Sequence, residues 1–266
     1  MRVNPLNKAF DEHGQPSPGV EKFLNHALRV QRPWVVKMIK HMRRQHPDET
    51  PAQLAKRARK LYVRSVTAGG GAVGATAAIP GIGTLTSFGL SSVAVTGYLE
   101  ATALYAQAVA ELHGVEPKDE DQNRTMVMAL MLGDDGQALM GQLLTSSSTS
   151  KSISNKWGLM MGKSGSNAKF FDVGRSIRSM FVKRFIARQS GAMLGRALTF
   201  GIGAFVGGGA NLAMARQVIK SADEAFGEFP EQFPPNLTLG DRAEAFEGGT
   251  TASQQEALET ATTGRE

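Results

Sequence analysis

Residues 65–99, SVTAGGGAVGATAAIPGIGTLTSFGLSSVAVTGYL, contain no charged side chain in 35 consecutive positions. The middle of this segment, AIPGIG at 78–83, interrupts any helix, because proline lacks the N–H that the helix requires and glycine permits positive φ. The small and apolar residues on both sides are compatible with helix. The segment therefore predicts a helical hairpin whose second arm runs from about Thr84 to His113 and stops at Gly114.

Glycines in this hairpin, and around a second charge-free segment at 197–215, recur every four positions. Residues four apart lie on one face of a helix, and a face of small residues lets another backbone approach closely. Glycine inside a helix costs roughly 1 kcal/mol relative to alanine, so a compensating contact is expected. The residues predicted to form this packing face or a membrane hairpin are Gly70, Gly74, Pro80, Gly81, Gly83, Gly191, Gly195, Gly203 and Gly207.

Helical periodicity extends over much of the remaining chain. Pro33 divides the apolar pattern from Val20 to Met42 into two helices. Thr50 and Gln53 have the spacing of a capping box, which predicts a helix that begins at Pro51. Further helices are predicted at 121–132, at 135–144, over the stripe at 171–186, and up to about residue 226. No segment alternates with the period of a strand, so the predicted fold is an all-α helical bundle with a glycine-rich helical hairpin and a second, glycine-zipper helix.

Composition divides the chain into three parts. Residues 1–18 are predicted to be a flexible N-terminus, and residues 19–229 a helical domain. A flexible loop rich in serine and glycine is predicted inside that domain at 145–168. Residues 230–266 are rich in proline, threonine, glycine and glutamate, which predicts an acidic, disordered tail.

The net charge of +6 is unevenly distributed. Residues 220–266 hold ten acidic and three basic residues, a net −7, which leaves +13 on residues 1–219. A basic body suits an anionic surface, with the tail as a competitor or a spacer; a solvated basic face with a solubilising tail is the alternative. Because one basic cluster leads directly into the apolar hairpin, it favours lipid headgroups. The predicted anionic-surface residues are Lys56, Arg57, Arg59, Lys60 and Arg64.

No motif predicts an enzyme. GGGAVG at 69–74 matches G-x-G-x-x-G, but no strand precedes it and no acidic residue follows at the required distance. GLMMGKS at 158–164 is one residue short of a phosphate-binding loop. The five histidines lack metal-ligand spacing and are expected to be solvated, and the chain has no cysteine. We therefore predict no catalytic residue, no metal site and no cofactor.

Two parts of the sequence carry a family resemblance. The first is GGGAVG at 69–74 with IPGIG at 79–83 and a helix that ends in residues 105–115. The second is GAFVGGGAN at 203–211, followed by Arg216 and Ala225-Phe226-Gly227. Together they resemble the EcsC family of bacterial proteins over residues 57–227. The resemblance implies a helical, membrane-associated or transport-linked accessory protein and brings no catalytic residues.

These observations predict a non-enzymatic, membrane-associating helical accessory or scaffold protein. The expected partner is anionic membrane lipid or a membrane protein, and no nucleic-acid motif is present. The expected location is the cytoplasm, peripheral to or shallowly inserted in the inner membrane, because the chain has no cysteine and no apolar N-terminal segment. The first hairpin arm is about 21 Å long against about 30 Å of hydrocarbon, which favours shallow contact over spanning. The alternative is a soluble all-α homo-oligomeric binding or assembly module.

Overall fold

The computed structural model describes residues 10–11, 15–29, 32–76, 85–145, 157–160, 172–185 and 202–239. Within these ranges the chain is helical and forms no strand, apart from one isolated antiparallel bridge between Phe10 and Pro16. The all-α prediction is therefore confirmed. The helices are α1 (Pro18–Ala27), α2 (Arg32–Gln45), α3 (Pro51–Thr76), α4 (Leu85–Leu112), α5 (Glu120–Leu132), α6 (Asp134–Thr145), α7 (172–185) and α8 (Ile202–Phe226).

Local signals in the sequence set most of the helix ends. Thr50 and Gln53 form the predicted capping box: the Thr50 N–H donates to Gln53 Oε1 at 2.7 Å, and the Gln53 N–H donates to Thr50 Oγ1 at 3.4 Å. Gly114 follows α4 with φ of +71°, a conformation that residues with a Cβ rarely adopt. Asp119 begins α5 by accepting the Gln122 N–H at 2.7 Å. These predicted boundaries are confirmed.

The core forms around α5, α3, α4 and α8. Nearly every residue of α5 from Gln122 onwards is buried, as expected of a helix that is enclosed on all sides. The stacked rings of Tyr62 on α3 and Tyr105 on α4, with centroids 4.7 Å apart, lie between those two helices. The Asn211 side chain on α8 donates to the backbone oxygen of Val66 on α3 at 2.9 Å. Helix α3 therefore packs against both α4 and α8.

The predicted flexible loop and the predicted disordered tail each contribute a buried side chain. Inside the predicted flexible loop, a 3-10 turn at Trp157–Met160 places the Trp157 ring in the core, where its indole N–H donates to Gln137 Oε1 at 3.2 Å. A second 3-10 turn, Pro235–Leu237, lies inside the predicted tail, and Leu237 is fully buried. A single large apolar side chain can anchor an otherwise polar segment. The flexible loop and the disordered tail stay predictions for the remaining residues. The rest of the loop, apart from Thr145, and residues 240–266 lie outside the described residues.

The predicted glycine face is only partly covered by the structure. Gly70 and Gly74 lie in α3 and Gly203 and Gly207 in α8, whereas Pro80, Gly81, Gly83, Gly191 and Gly195 lie outside the described residues. Neighbouring glycines do not supply the expected close contact, because a methyl group added at Gly69 or Gly209 would meet no atom within 4 Å. The glycine-zipper interpretation stays a prediction.

Close approach occurs instead at glycines that the spacing pattern did not select. A Cβ on Gly136, in the first turn of α6, would lie 2.0 Å from the backbone oxygen of Ala129 on α5. A Cβ on Gly158 would lie 2.8 Å from the Phe226 ring and 2.9 Å from the Ala225 oxygen. Such distances require backbone to move, so these two glycines determine how closely α6 and the Trp157 turn pack on their neighbours.

Replacing Gly136 with alanine should therefore lower the free energy of unfolding by about 1–3 kcal/mol, the usual cost of overpacking. The matched control is Gly97→Ala in α4, where an added methyl group meets nothing within 4 Å and should stabilise the helix by up to about 1 kcal/mol. Urea denaturation followed by circular dichroism measures both. Equal effects of the two substitutions would contradict the packing assigned to α5 and α6.

Candidate functional site

Helices α2 and α3 contain no carboxylate, although each carries five lysine or arginine residues. They also carry the large hydrophobic side chains that the described part of the chain leaves exposed: Trp34 on α2 at 51% and Leu61 on α3 at 54%. Single exposed hydrophobic residues are common on protein surfaces. Here both are placed on helices whose exposed charges are all positive, which makes these helices the candidate site.

On α3 the exposed charges follow one helix face. Lys56, Lys60 and Arg64 are four residues apart and exposed, and Leu61 lies beside them. Residues at this spacing occupy neighbouring positions along a helix surface. Among the described residues, no carboxylate lies within ion-pair distance of these three cations. We call Lys56, Lys60, Leu61 and Arg64 the α3 face.

The structure separates the other two predicted basic residues from this group. The Arg57 guanidinium donates to both carboxylate oxygens of Glu49 at 2.6–2.8 Å. These hydrogen bonds raise the pKa of Arg57 and lower the pKa of the Glu49 carboxyl. Arg59 forms an ion pair with Asp223 on α8. Arg57 and Arg59 therefore have protein partners, and the surface available to an external anion is smaller than the sequence predicted.

On α2, as on α3, some cations are exposed to solvent and others have partners within the protein. Trp34, Lys37 and Arg44 are exposed and lie near one face, at spacings of three and seven residues. Arg43 is turned inward: it donates to the Leu237 backbone oxygen at 2.7 Å and stacks 4.0 Å over the Phe233 ring. The opposite face of α2 buries Val35 and Ile39. This exposed face of α2 was not selected from the sequence, because the residues assigned to anionic-surface binding all lie on α3.

A buried carboxylate determines where α2 lies. Glu111, near the end of α4, is fully buried and accepts four hydrogen bonds. The Arg32 guanidinium donates to both of its oxygens, at 2.6 and 3.2 Å, and this hydrogen bonding raises the pKa of Arg32. Gln107 donates at 3.2 Å and Asn236 at 2.6 Å. A buried charge is tolerated only with such partners, so Glu111 ties α2 and the C-terminal turn to α4.

His113 is the histidine that departs most clearly from the expected solvated state. Its ring lies against the Phe226 and Phe229 rings, with centroids 5.1 and 4.2 Å away, and its Nδ1 is 2.8 Å from the Val109 oxygen. Burial lowers the pKa of this imidazole, because the charged form would lose its hydration. His113 therefore fastens the end of α8 to the end of α4 in its neutral form.

Other candidate chemistry is sparse in the described part of the chain. No group of three or more histidine, aspartate or glutamate side chains there has the arrangement of a metal site. A groove of about 270 Å³ is lined by Gln15 and by the α7 residues Arg175, Ser176, Ser179, Met180 and Lys183. None of the helices searched in the described ranges combines the length and the apolar character needed to cross a bilayer.

Comparison with known proteins adds no family to this description. No protein-family model matches the chain, and the searches of curated proteins and of solved structures also return no significant match. The resemblance to the EcsC family therefore stays a prediction, and the proposal of a function depends on the site itself.

The Glu111 network makes a specific prediction about stability. Arg32→Ala should lower the free energy of unfolding by about 2 kcal/mol or more, because it leaves a buried carboxylate with fewer donors. In a Glu111→Gln background, Arg32→Ala should lower the free energy of unfolding by less, because no buried charge remains. The exposed second partner of Arg32, Glu116, provides the matched control: Glu116→Gln should leave the cost of Arg32→Ala nearly unchanged. Equal costs in all three backgrounds would contradict the role given to Glu111.

The His113 contact predicts a pH dependence. The folded-state pKa of His113 lies below its value in the unfolded chain, about 6.5. The unfolded state therefore binds a proton first, and the stability that neutral His113 contributes is present above about pH 6.5 and is lost as the pH falls towards the folded-state pKa. His113→Phe, which keeps an aromatic ring, should lose less unfolding free energy than the wild type between pH 7.5 and about pH 5.5. The exposed-histidine control His26→Gln should follow the wild-type curve in urea titrations; a His113→Phe curve parallel to the wild type would refute the prediction.

Proposed function

We propose that this protein is a non-enzymatic helical accessory or scaffold protein that binds an anionic membrane surface through α2 and α3. One observation carries the proposal: the exposed large hydrophobic side chains, Trp34 and Leu61, lie on the two carboxylate-free basic helices. A partner that accepts cations and apolar groups side by side is the headgroup region of an anionic bilayer. The EcsC resemblance also implies a membrane-associated or transport-linked accessory protein, and the side we expect is the cytoplasmic face.

The exposed cations account for the attraction. A lysine or arginine near an anionic membrane contributes about 1 kcal/mol, and the effect decays within a Debye length, about 10 Å at 0.1 M salt. Lys56, Lys60 and Arg64 have no competing carboxylate at ion-pair distance among the described residues. Arg57 keeps Glu49 as its partner, so it contributes less. Lys37 and Arg44 extend the attraction to α2.

The apolar side chains distinguish lipid from other polyanions. Transfer of a leucine side chain out of water contributes about 1.5–3 kcal/mol, and this contribution does not weaken in salt as ion pairs do. Leu61 lies beside the cations of the α3 face, and Trp34 belongs to the residue type that is enriched at the headgroup level. Nucleic acid would gain little from Leu61, so the proposal commits to lipid. A shallow, peripheral contact also requires no membrane-spanning helix.

A second candidate function is a homo-oligomeric assembly module. It is favoured by Gly69, Gly97 and Gly209, which lie inside helices where an added methyl group would meet nothing within 4 Å. No contact within the described part of the chain explains these glycines, and a second copy would give them a packing partner. Sedimentation without detergent distinguishes a discrete oligomer from a monomer that acquires partners only on lipid.

The membrane proposal predicts the behaviour of full-length protein with vesicles made of equal parts phosphatidylcholine and phosphatidylglycerol. Wild-type protein should cosediment at low salt. The triple variant Lys56→Gln/Lys60→Gln/Arg64→Gln should bind about 100-fold more weakly, as expected from about 1 kcal/mol for each cation. Leu61→Gln should weaken binding about tenfold or more, and the difference from wild type should persist at high salt.

A charge-matched control separates position from net charge. The exposed residues Lys22, Lys118 and Lys220 lie outside α2 and α3, so their simultaneous replacement by glutamine should reduce binding much less than the α3-face triple. Equal losses of vesicle binding in the two triple variants would contradict the membrane proposal, and so would wild-type protein that stays in the supernatant at low salt. A Leu61→Gln variant indistinguishable from wild type would indicate a purely electrostatic contact, such as one to nucleic acid.

A further inference from the structure

The described chain ends near the N-terminal end of α3. Leu237 belongs to the same buried cluster as Leu54 and Ala55 from the first turn of α3. Two hydrogen bonds hold this turn in place: Arg43 donates to the Leu237 oxygen at 2.7 Å, and Asn236 donates to Glu111 at 2.6 Å. The residues that follow therefore leave the domain next to the N-terminal end of α3.

Those following residues complement the α3 face in charge. Residues 240–266 contain six acidic residues and two arginines, a formal net charge of −4. Asp241, Glu244 and Glu247 come within the first eight positions. The interval from Lys56 to Arg64 is about 12 Å at 1.5 Å per helical residue, whereas an extended chain covers about 3.3 Å per residue. Eight extended residues therefore cover more than the interval between Lys56 and Arg64.

We propose that the acidic segment 240–266 docks on the α3 face and competes with anionic lipid for Lys56, Lys60 and Arg64. The inference rests on the proposed membrane function and adds its regulation by the chain itself. A tethered segment meets its site at an effective concentration in the millimolar range, so even weak ion pairs occupy the face for much of the time. An abundant anionic surface displaces the segment, because many headgroups replace a few carboxylates.

The first test compares vesicle binding by full-length variants. Asp241→Asn/Glu244→Gln/Glu247→Gln should bind the phosphatidylglycerol vesicles about three- to tenfold more tightly than wild type, because the tethered competitor is weakened. Arg242→Gln/Arg265→Gln makes the segment more acidic and should bind more weakly. The charge-matched control is Glu120→Gln/Asp134→Asn/Asp172→Asn, three exposed acids elsewhere, which should change binding much less. Equal gains from the tail triple and the control triple would overturn the inference in favour of a net-charge effect.

The second test needs no lipid. Carbodiimide joins a lysine amine to a carboxylate in direct contact, and peptide mass spectrometry locates the bond. We expect links from Lys56 or Lys60 to the acids of 240–266 at low salt, and their loss in 0.5 M salt, where the Debye length falls well below 10 Å. Mixing isotopically light and heavy protein tells whether the link forms within one chain. Absence of these links, or links only between chains, would overturn docking within the chain.

The two tests also separate this inference from the membrane proposal. If no variant binds vesicles but the links form, the membrane proposal fails and the docking of the acidic segment stands. If wild type and the tail triple bind vesicles equally and the links are absent, the membrane proposal stands and the docking fails. In the background of Lys56→Gln/Lys60→Gln/Arg64→Gln, neutralising the tail should have no effect on vesicle binding; a persistent gain would place the docking site elsewhere.

Discussion

The fully buried carboxylate of Glu111 is the constraint on which the arrangement of the basic helices depends. An unpaired carboxylate in a protein interior is strongly unfavourable, so α4 can bury Glu111 only if donors arrive from outside α4. Gln107 comes from the same helix, but Arg32 comes from the start of α2 and Asn236 from the C-terminal turn. Satisfying one charge thereby fixes two distant segments. It sets the side of α2 that faces solvent and the place where the acidic segment leaves the domain.

Helix ends could be predicted from the sequence because their causes are local. Thr50 with Gln53, Asp119, and the positive-φ position of Gly114 each act within four residues, and pattern reading located all three kinds of end. The fold class follows from the same local patterns. The Arg32–Glu111 bond, in contrast, joins residues 79 apart, and no periodicity in the sequence signals it. Long-range polar contacts are visible only once the helices are packed.

The partners of the predicted basic residues could not be read from the sequence, for a related reason. The basic cluster of α3 was evident, but the sequence treated its five cations as equivalent. Arg57 pairs with Glu49, which lies just before the helix. Arg59 pairs with Asp223, which is 164 residues further along the chain. Trp34 on α2 was not selected from the sequence. Its exposure becomes informative only beside Lys37 and Arg44 on the same helix.

Glycine spacing and glycine packing are different properties in this protein. The four-residue repeat identifies positions where a close partner is permitted, whereas Gly136 and Gly158 are positions where a partner is present. Gly136 meets Ala129 on α5 and Gly158 meets the end of α8, whereas Gly69 and Gly209 have no such contact. If membrane contact occurs through α3, it begins at the charged part of the helix, where Lys56, Lys60, Leu61 and Arg64 are exposed. Binding energy would then come from the cations and from Leu61.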